Sequence, residues 1–276
     1  MGDRQALDRL VKHRPQAAVG LGDLYAAELD WERAIAEYRK AVTDQRADSL
    51  LTKLATAYQS AGRTREGVFY LAKASAANPK DTVLSLKVAA LQAWFGQEKE
   101  LAATLERIRA FAKDTNDAGT SERAAKACSI RAFTNKAELE AAVDLARRGV
   151  ELDKDSEWRE WRLLALGMAE YRSGNSAAAL EALLAAEKAG AKNSLGKGIA
   201  AFYRAMSLFR QGKPDEARKV ASAAAAQIKP LPKDEQNPFA DGAYDDDLIL
   251  WLAYKEAKAM IQFDAAPPAK AENGKK

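Results

Sequence analysis

Cysteine and histidine are almost missing from this 276-residue chain: Cys128 and His13 are the only ones. One cysteine excludes an intrachain disulfide and a cysteine-rich zinc site, and one histidine excludes a histidine-based metal cluster. A catalytic dyad would have to use His13 or do without histidine. Proline (8) and glycine (16) are sparse, and aromatics make up 8% of the chain. Neither charge sign dominates, because 43 Lys and Arg stand against 39 Asp and Glu. The resulting +4 is too small to indicate nucleic acid. No run of about 18 apolar residues exists to span a membrane. Met1 to Gln16 is charged throughout, without the apolar stretch of a signal peptide. Ala6 stands where a myristoylation signal needs Ser or Thr. The expectation is a soluble, cytoplasmic chain that needs no metal or cofactor.

What the chain has is alanine, 60 residues or more than one in five. Alanine loses no side-chain entropy in a helix, so its excess over β-branched residues favours an all-α fold. The apolar residues then recur with a long period. Ala18, Leu21, Gly22 and Tyr25 are followed by Ala34, Tyr38 and Ala41. Thirty-three residues on, Leu54, Ala55 and Tyr58 are followed by Gly62, Gly67, Leu71, Ala74 and Pro79. A third copy has Val88, Ala89 and Gln92, a turn at Gly96, then Leu101, Leu105 and Ile108. Gly62 and Gly96 lie 34 residues apart. The array then loosens. A seven-residue insert, Asn116 to Glu122, precedes a degenerate pair read over Ala124 to Thr134 and Ala137 to Asp153. Two clearer copies follow, with turns at Gly174 and Gly212, 38 residues apart. Small residues such as Gly22, Ala55 and Gly167 suit a close helix crossing, bulky Tyr25, Tyr38 and Tyr58 fill the space beside it, and glycine after the first helix supplies a positive φ. No such pair can bury its apolar face alone, so each stacks on its neighbours.

Residues 15 to 230 resemble a tetratricopeptide-repeat array, whose pattern is W-x₂-L-G-x₂-Y followed by A-x₃-F, with Ala18 in place of the tryptophan. That resemblance implies a right-handed α-solenoid of about six helix pairs. Shorter strings resemble the C-terminal repeat regions of large bacterial Ser/Thr protein kinases: Phe111 to Thr115, Glu122 to Cys128, and Tyr254 to Met260. The Gly-rich loop, VAIK lysine, HRD and DFG of a kinase catalytic part are not in this sequence, so the likeness implies context rather than activity. The expected organisation is a partial repeat or N-terminal helix over 1–14, three repeats over 15–115, and one degenerate plus two regular repeats over 116–230. A Pro/acidic loop over 231–247, a C-terminal capping helix over 248–264 and a disordered tail over 265–276 complete it. Asp245, Asp246 and Asp247 precede an apolar run and favour a helix start there. With Asp241 they lack the ligand spacing of a calcium loop.

No residue constellation reads as catalytic. His13 stands between Lys12 and Arg14 as a surface helix residue, and Cys128 reads as a buried small residue among alanines. The informative surface is the groove. In tetratricopeptide arrays the first helices line it through fixed repeat positions, and the resemblance carries these onto Trp161, Leu164, Met168, Tyr171 and Arg172 of the fifth copy. In the sixth they fall on Ile199, Phe202, Met206, Phe209 and Arg210. Aromatics, Met and Arg are enriched at interface hot spots. The first two copies turn smaller and more polar residues to that side, Val19, Asp23, Thr52 and Thr56. The Lys/Asn pattern of a chaperone-binding carboxylate clamp is missing. The expected function is a non-catalytic scaffold that binds a protein or peptide segment on repeats five and six. The alternatives are a regulatory or docking tail of a Ser/Thr kinase and an RNA-binding solenoid, which the dispersed basic residues do not favour.

Overall fold

The computed structural model describes residues 15–42, 48–190 and 194–264. The expected N-terminal helix with His13, and the C-terminal tail, lie outside them. Among the described residues there are thirteen helices and no strand. They are α1 (Pro15–Ala27), α2 (Trp31–Val42), α3 (Asp48–Ser60), α4 (Thr64–Ala77), α5 (Thr82–Trp94) and α6 (Glu98–Ala112). Then come α7 (Ala118–Ala127), α8 (Lys136–Leu152), α9 (Arg159–Arg172), α10 (Ser176–Ala189), α11 (Ser194–Arg210), α12 (Pro214–Ala225) and α13 (Asp245–Ile261). The chain forms two compact units. One contains α1 to α6 up to Phe111, together with Pro232–Asp245. The other runs from Ala112 to Leu231 and resumes at Asp246.

The turn inside a pair is the same structure four times over. Gly62, Gly96, Gly174 and Gly212 have φ of 76°, 65°, 87° and 75°. In each, the next amide reaches back five residues: Arg63 N donates to Tyr58 O at 2.8 Å and Asn175 N to Glu170 O at 2.9 Å. This is the Schellman closure, in which a left-handed residue lets the chain satisfy the carbonyls at a helix end. The first pair closes identically, Asp30 N to Tyr25 O at 2.9 Å, but the left-handed residue is Leu29 at φ 61°. Between paired helices the small residues do what their position suggests. A Cβ on Gly167 would lie 2.5 Å from Cγ of the fully buried Leu183.

The fourth pair departs from the sequence reading. Asn116 to Glu122 is not an insert: α7 begins at Ala118, and Asp117 caps it by accepting from Thr120 N at 2.6 Å. The connection to α8 runs from Cys128 to Asn135 without a turn glycine, and Cys128 is buried. Within the second unit, α9 touches both neighbouring first helices, α7 and α11, and both second helices, α8 and α10. The first helices thus share one face, and the second helices lie behind it.

Candidate functional site

The face shared by α7, α9 and α11 carries the predicted groove residues, and the chain's own helix α13 lies on it. Leu164, Met168, Tyr171, Phe202 and Met206 are at most 1% exposed, and Arg172 is also buried. Trp161 and Phe209 are partly exposed, and Arg210 is exposed. Tyr171 meets Met260 of α13 through a 4.0 Å contact from its hydroxyl to the sulfur. Phe202 stands edge-on to Tyr254, with centroids 5.6 Å apart, and stacks with Phe263 at 6.2 Å. Leu250 fills the space over Gly198, where a Cβ would lie 2.8 Å from its Cδ1. At the near end Trp251 Nε1 donates to Lys229 O at 3.0 Å. The expected C-terminal helix therefore starts three residues before Leu248, at Asp245, and reaches across three first helices instead of closing the last pair alone.

Two buried cations fix where α13 sits. Arg172 donates Nη1 to Glu256 Oε1 at 2.5 Å and Nη2 to Glu256 Oε2 at 2.7 Å, a bidentate pair. Its remaining donors reach the connection after α7: Nε to Ser129 O and Nη2 to Ile130 O, both at 2.8 Å. Tyr203 Oη donates to the same Ser129 carbonyl at 2.8 Å. The missing turn glycine of the fourth pair leaves these carbonyls outside any helix, and buried carbonyls need donors. Arg172 and Tyr203 supply them. Burial alone pulls the Arg172 pKa down, but the Tyr203 and Glu256 oxygens around it outweigh that and raise it, so the guanidinium stays charged. Burial, with Glu256 next, pushes the Tyr171 hydroxyl up to about 12.

Lys126 is the second anchor. Its ammonium lies 2.9 Å from Glu122 and 3.3 Å from Asp246 at the start of α13, and 4.5 Å from the centre of the Trp161 ring. Arg162 approaches the other oxygen of Glu122 at 3.3 Å. Burial works against the ammonium, while Glu122 and Asp246 act the other way and raise its pKa on balance. Removing one partner of such a buried pair costs far more than the pair contributes, which makes these contacts specific about register. Arg210 lies over Tyr171, 3.9 Å from the ring centre, and donates to Tyr171 O at 2.8 Å.

Structure thus brings Tyr171, Arg172, Phe202 and Arg210 into one constellation and places Trp161 at the Lys126 end. Sequence reasoning missed Lys126, Glu122, Tyr203 and Glu256. A lysine and a glutamate four residues apart on an alanine-rich helix were the available signal for the first two. In the first unit Asp23 accepts from Tyr38 Oη at 2.7 Å and from Lys53 at 2.7 Å. Among the described residues no group of three or more potential ligands is placed to hold a metal ion. No described helix is long and apolar enough to cross a membrane.

Fold and face together define a helical-repeat protein of tetratricopeptide architecture. The tetratricopeptide-repeat family model matches residues 4–49 and 164–234. Among solved structures, a tetratricopeptide repeat protein from Parabacteroides merdae aligns with a TM-score of 0.55 at 14% identity, over 89% of this chain and 93% of that one. Yeast Tom70 aligns over 89% of this chain and 47% of its own, at 15% identity and a TM-score of 0.39. Pseudomonas aeruginosa pilF aligns over 89% and 96%, at 15% identity and a TM-score of 0.40. No curated protein matches the sequence. The likeness to kinase tails accordingly stays one of short strings.

Proposed function

We propose that the chain is a non-catalytic scaffold that binds segments of other proteins on the faces of its first helices. One observation carries this reading: the face of α7, α9 and α11 holds a helix, and holds it by the means an interface uses. These are a desolvated bidentate Arg–carboxylate pair between Arg172 and Glu256, and an aromatic cluster around Phe202. Protein fits this face better than RNA, because the buried cations Lys126 and Arg172 already face carboxylates. Phe209 and Arg210, at the α11 end and not fully covered, are the edge on which a partner would land.

The test is a photo-reactive residue in place of Phe209 in the full chain. Discrete cross-linked proteins should form in cells and disappear with Arg210→Glu. The same bands from a probe at Lys219, on the exposed side of α12, would reject the reading.

A further inference from the structure

The first unit also holds a piece of its own chain, and this piece has the form of a peptide ligand. Between Pro232 and Ala243 the backbone makes a run of tight turns. Asn237 N donates to Asp234 O, Ala240 N to Asn237 O and Gly242 N to Phe239 O, each at 3.1 Å. Pro238 is the second residue of the middle turn, where its fixed φ favours a type I geometry. Asp234 adds a side-chain bond to Gln236 N at 2.9 Å. A sequence Asn-Pro-Phe-Ala is thereby preformed as a turn that projects its aromatic residue.

The receiving surface is built from α4, α5 and the turn at Gly62. The buried Thr64 donates Oγ1 to Asn237 Oδ1 at 2.6 Å. Trp94 donates Nε1 to the Glu235 carbonyl at 2.9 Å, a side chain reading a peptide backbone. Phe239 is 6% exposed, with the Lys87 ammonium 5.2 Å from its ring centre. A Cβ on Gly62 would meet Asn237 Nδ2 at 3.7 Å, an ordinary contact distance, so the turn lies beside Gly62. Each feature reads one element of the segment: the asparagine amide, the backbone and the aromatic ring.

We propose that this surface is a recognition site for Asn-Pro-Phe turn segments of a partner protein, kept filled by the chain's own Asn237–Phe239. The proposal rests on the reading of the chain as a protein-binding scaffold and adds to its first-helix faces a surface that includes the second helix α4. A tethered occupant competes at an effective concentration on the order of 1 mM, so a free peptide with an intrinsic Kd of ~0.1 mM is weakened about tenfold. A partner enters by exceeding that threshold or by binding a second face as well.

The probe is a fluorescently labelled peptide of residues Pro232–Tyr244, titrated by polarisation against two full-length chains, unaltered and Asn237→Ala/Phe239→Ala. The altered chain should bind it about tenfold more tightly. Adding Thr64→Val or Trp94→Phe to that chain should each weaken binding about fivefold, the worth of one hydrogen bond. A peptide carrying Phe239→Ala should not bind. Equal affinity for both chains, or binding indifferent to Thr64→Val, overturns the proposal. If the double variant loses helix signal in circular dichroism, Asn237→Ala alone serves as receptor under the same criteria. Cross-linking at Phe209 reports on the other unit, so the two readings fail separately.

Discussion

Tyr171→Ala and Phe209→Ala divide the predicted groove into covered and uncovered parts. Both positions were expected to face a partner, but the structure surrounds them differently. Tyr171 is fully buried. It stands edge-on to Tyr203 at 5.4 Å, under the Arg210 guanidinium at 3.9 Å and against Met260. Truncation removes a whole ring from a site closed on each of these sides, in the range of about 3–5 kcal/mol seen for buried aromatics. A loss of about 4 kcal/mol lowers the melting temperature of a domain of this size by about 8–16 °C. Phe209 is only partly covered, so its truncation should cost no more than about 1–2 kcal/mol. Thermal and urea unfolding followed by circular dichroism measure both. Tyr171→Ala that melts like the unaltered chain would refute the placement of α13 over α9. Equal losses in the two variants would refute the assignment of Phe209 and Arg210 as the open edge.

Other expectations follow from single positions. Leu29 occupies the left-handed site that glycine fills in four other turns and is 70% exposed, so its side chain contributes little burial there. Leu29→Gly should relieve about 1–2 kcal/mol of backbone strain and return about 0.5–1 through the freer unfolded chain, a net gain of about 0.5–1 kcal/mol visible in the melting curve. Gly167→Ala should destabilise by about 1–3 kcal/mol, because Leu183 is fully buried and has nowhere to move, and urea unfolding reads the loss. The hydrogen bond from Thr120 holds the Asp117 carboxyl below the ordinary range. A depressed folded pKa makes the cap fully effective above the unfolded value near 4 and progressively lost below it. Hydrogen exchange at the Thr120 amide should therefore accelerate as pH falls below about 4, after correction for intrinsic rates, and Asp117→Asn should abolish that dependence.

The helix pairs were legible in the sequence because every signal for them is local. A turn needs a positive φ at one residue, and glycine marks that residue in four of the five turns that close this way. Helix crossings need small residues at a fixed spacing, and Gly22 and Gly167 stand at it. In the fourth pair the second helix was legible, but the sequence pattern puts the first over Ala124 to Thr134 instead of Ala118–Ala127, because its start is signalled by a cap, Asp117, with Gly119 inside the first turn, and its connection lacks glycine. What covers the faces of those pairs was decided by the tertiary structure alone. Arg172 finds Glu256 across 84 residues of sequence, Lys126 finds Asp246 across 120, and Thr64 finds Asn237 across 173. Periodicity carries no information about such pairings, since any surface of similar chemistry satisfies the same local pattern. The sequence therefore determined that first helices would present aromatics and arginine on a common face. Only the fold decided that α13 lies on Tyr171, Arg172 and Phe202, because a buried arginine needs its carboxylate and buried carbonyls outside a helix need their donors wherever the chain can bring them.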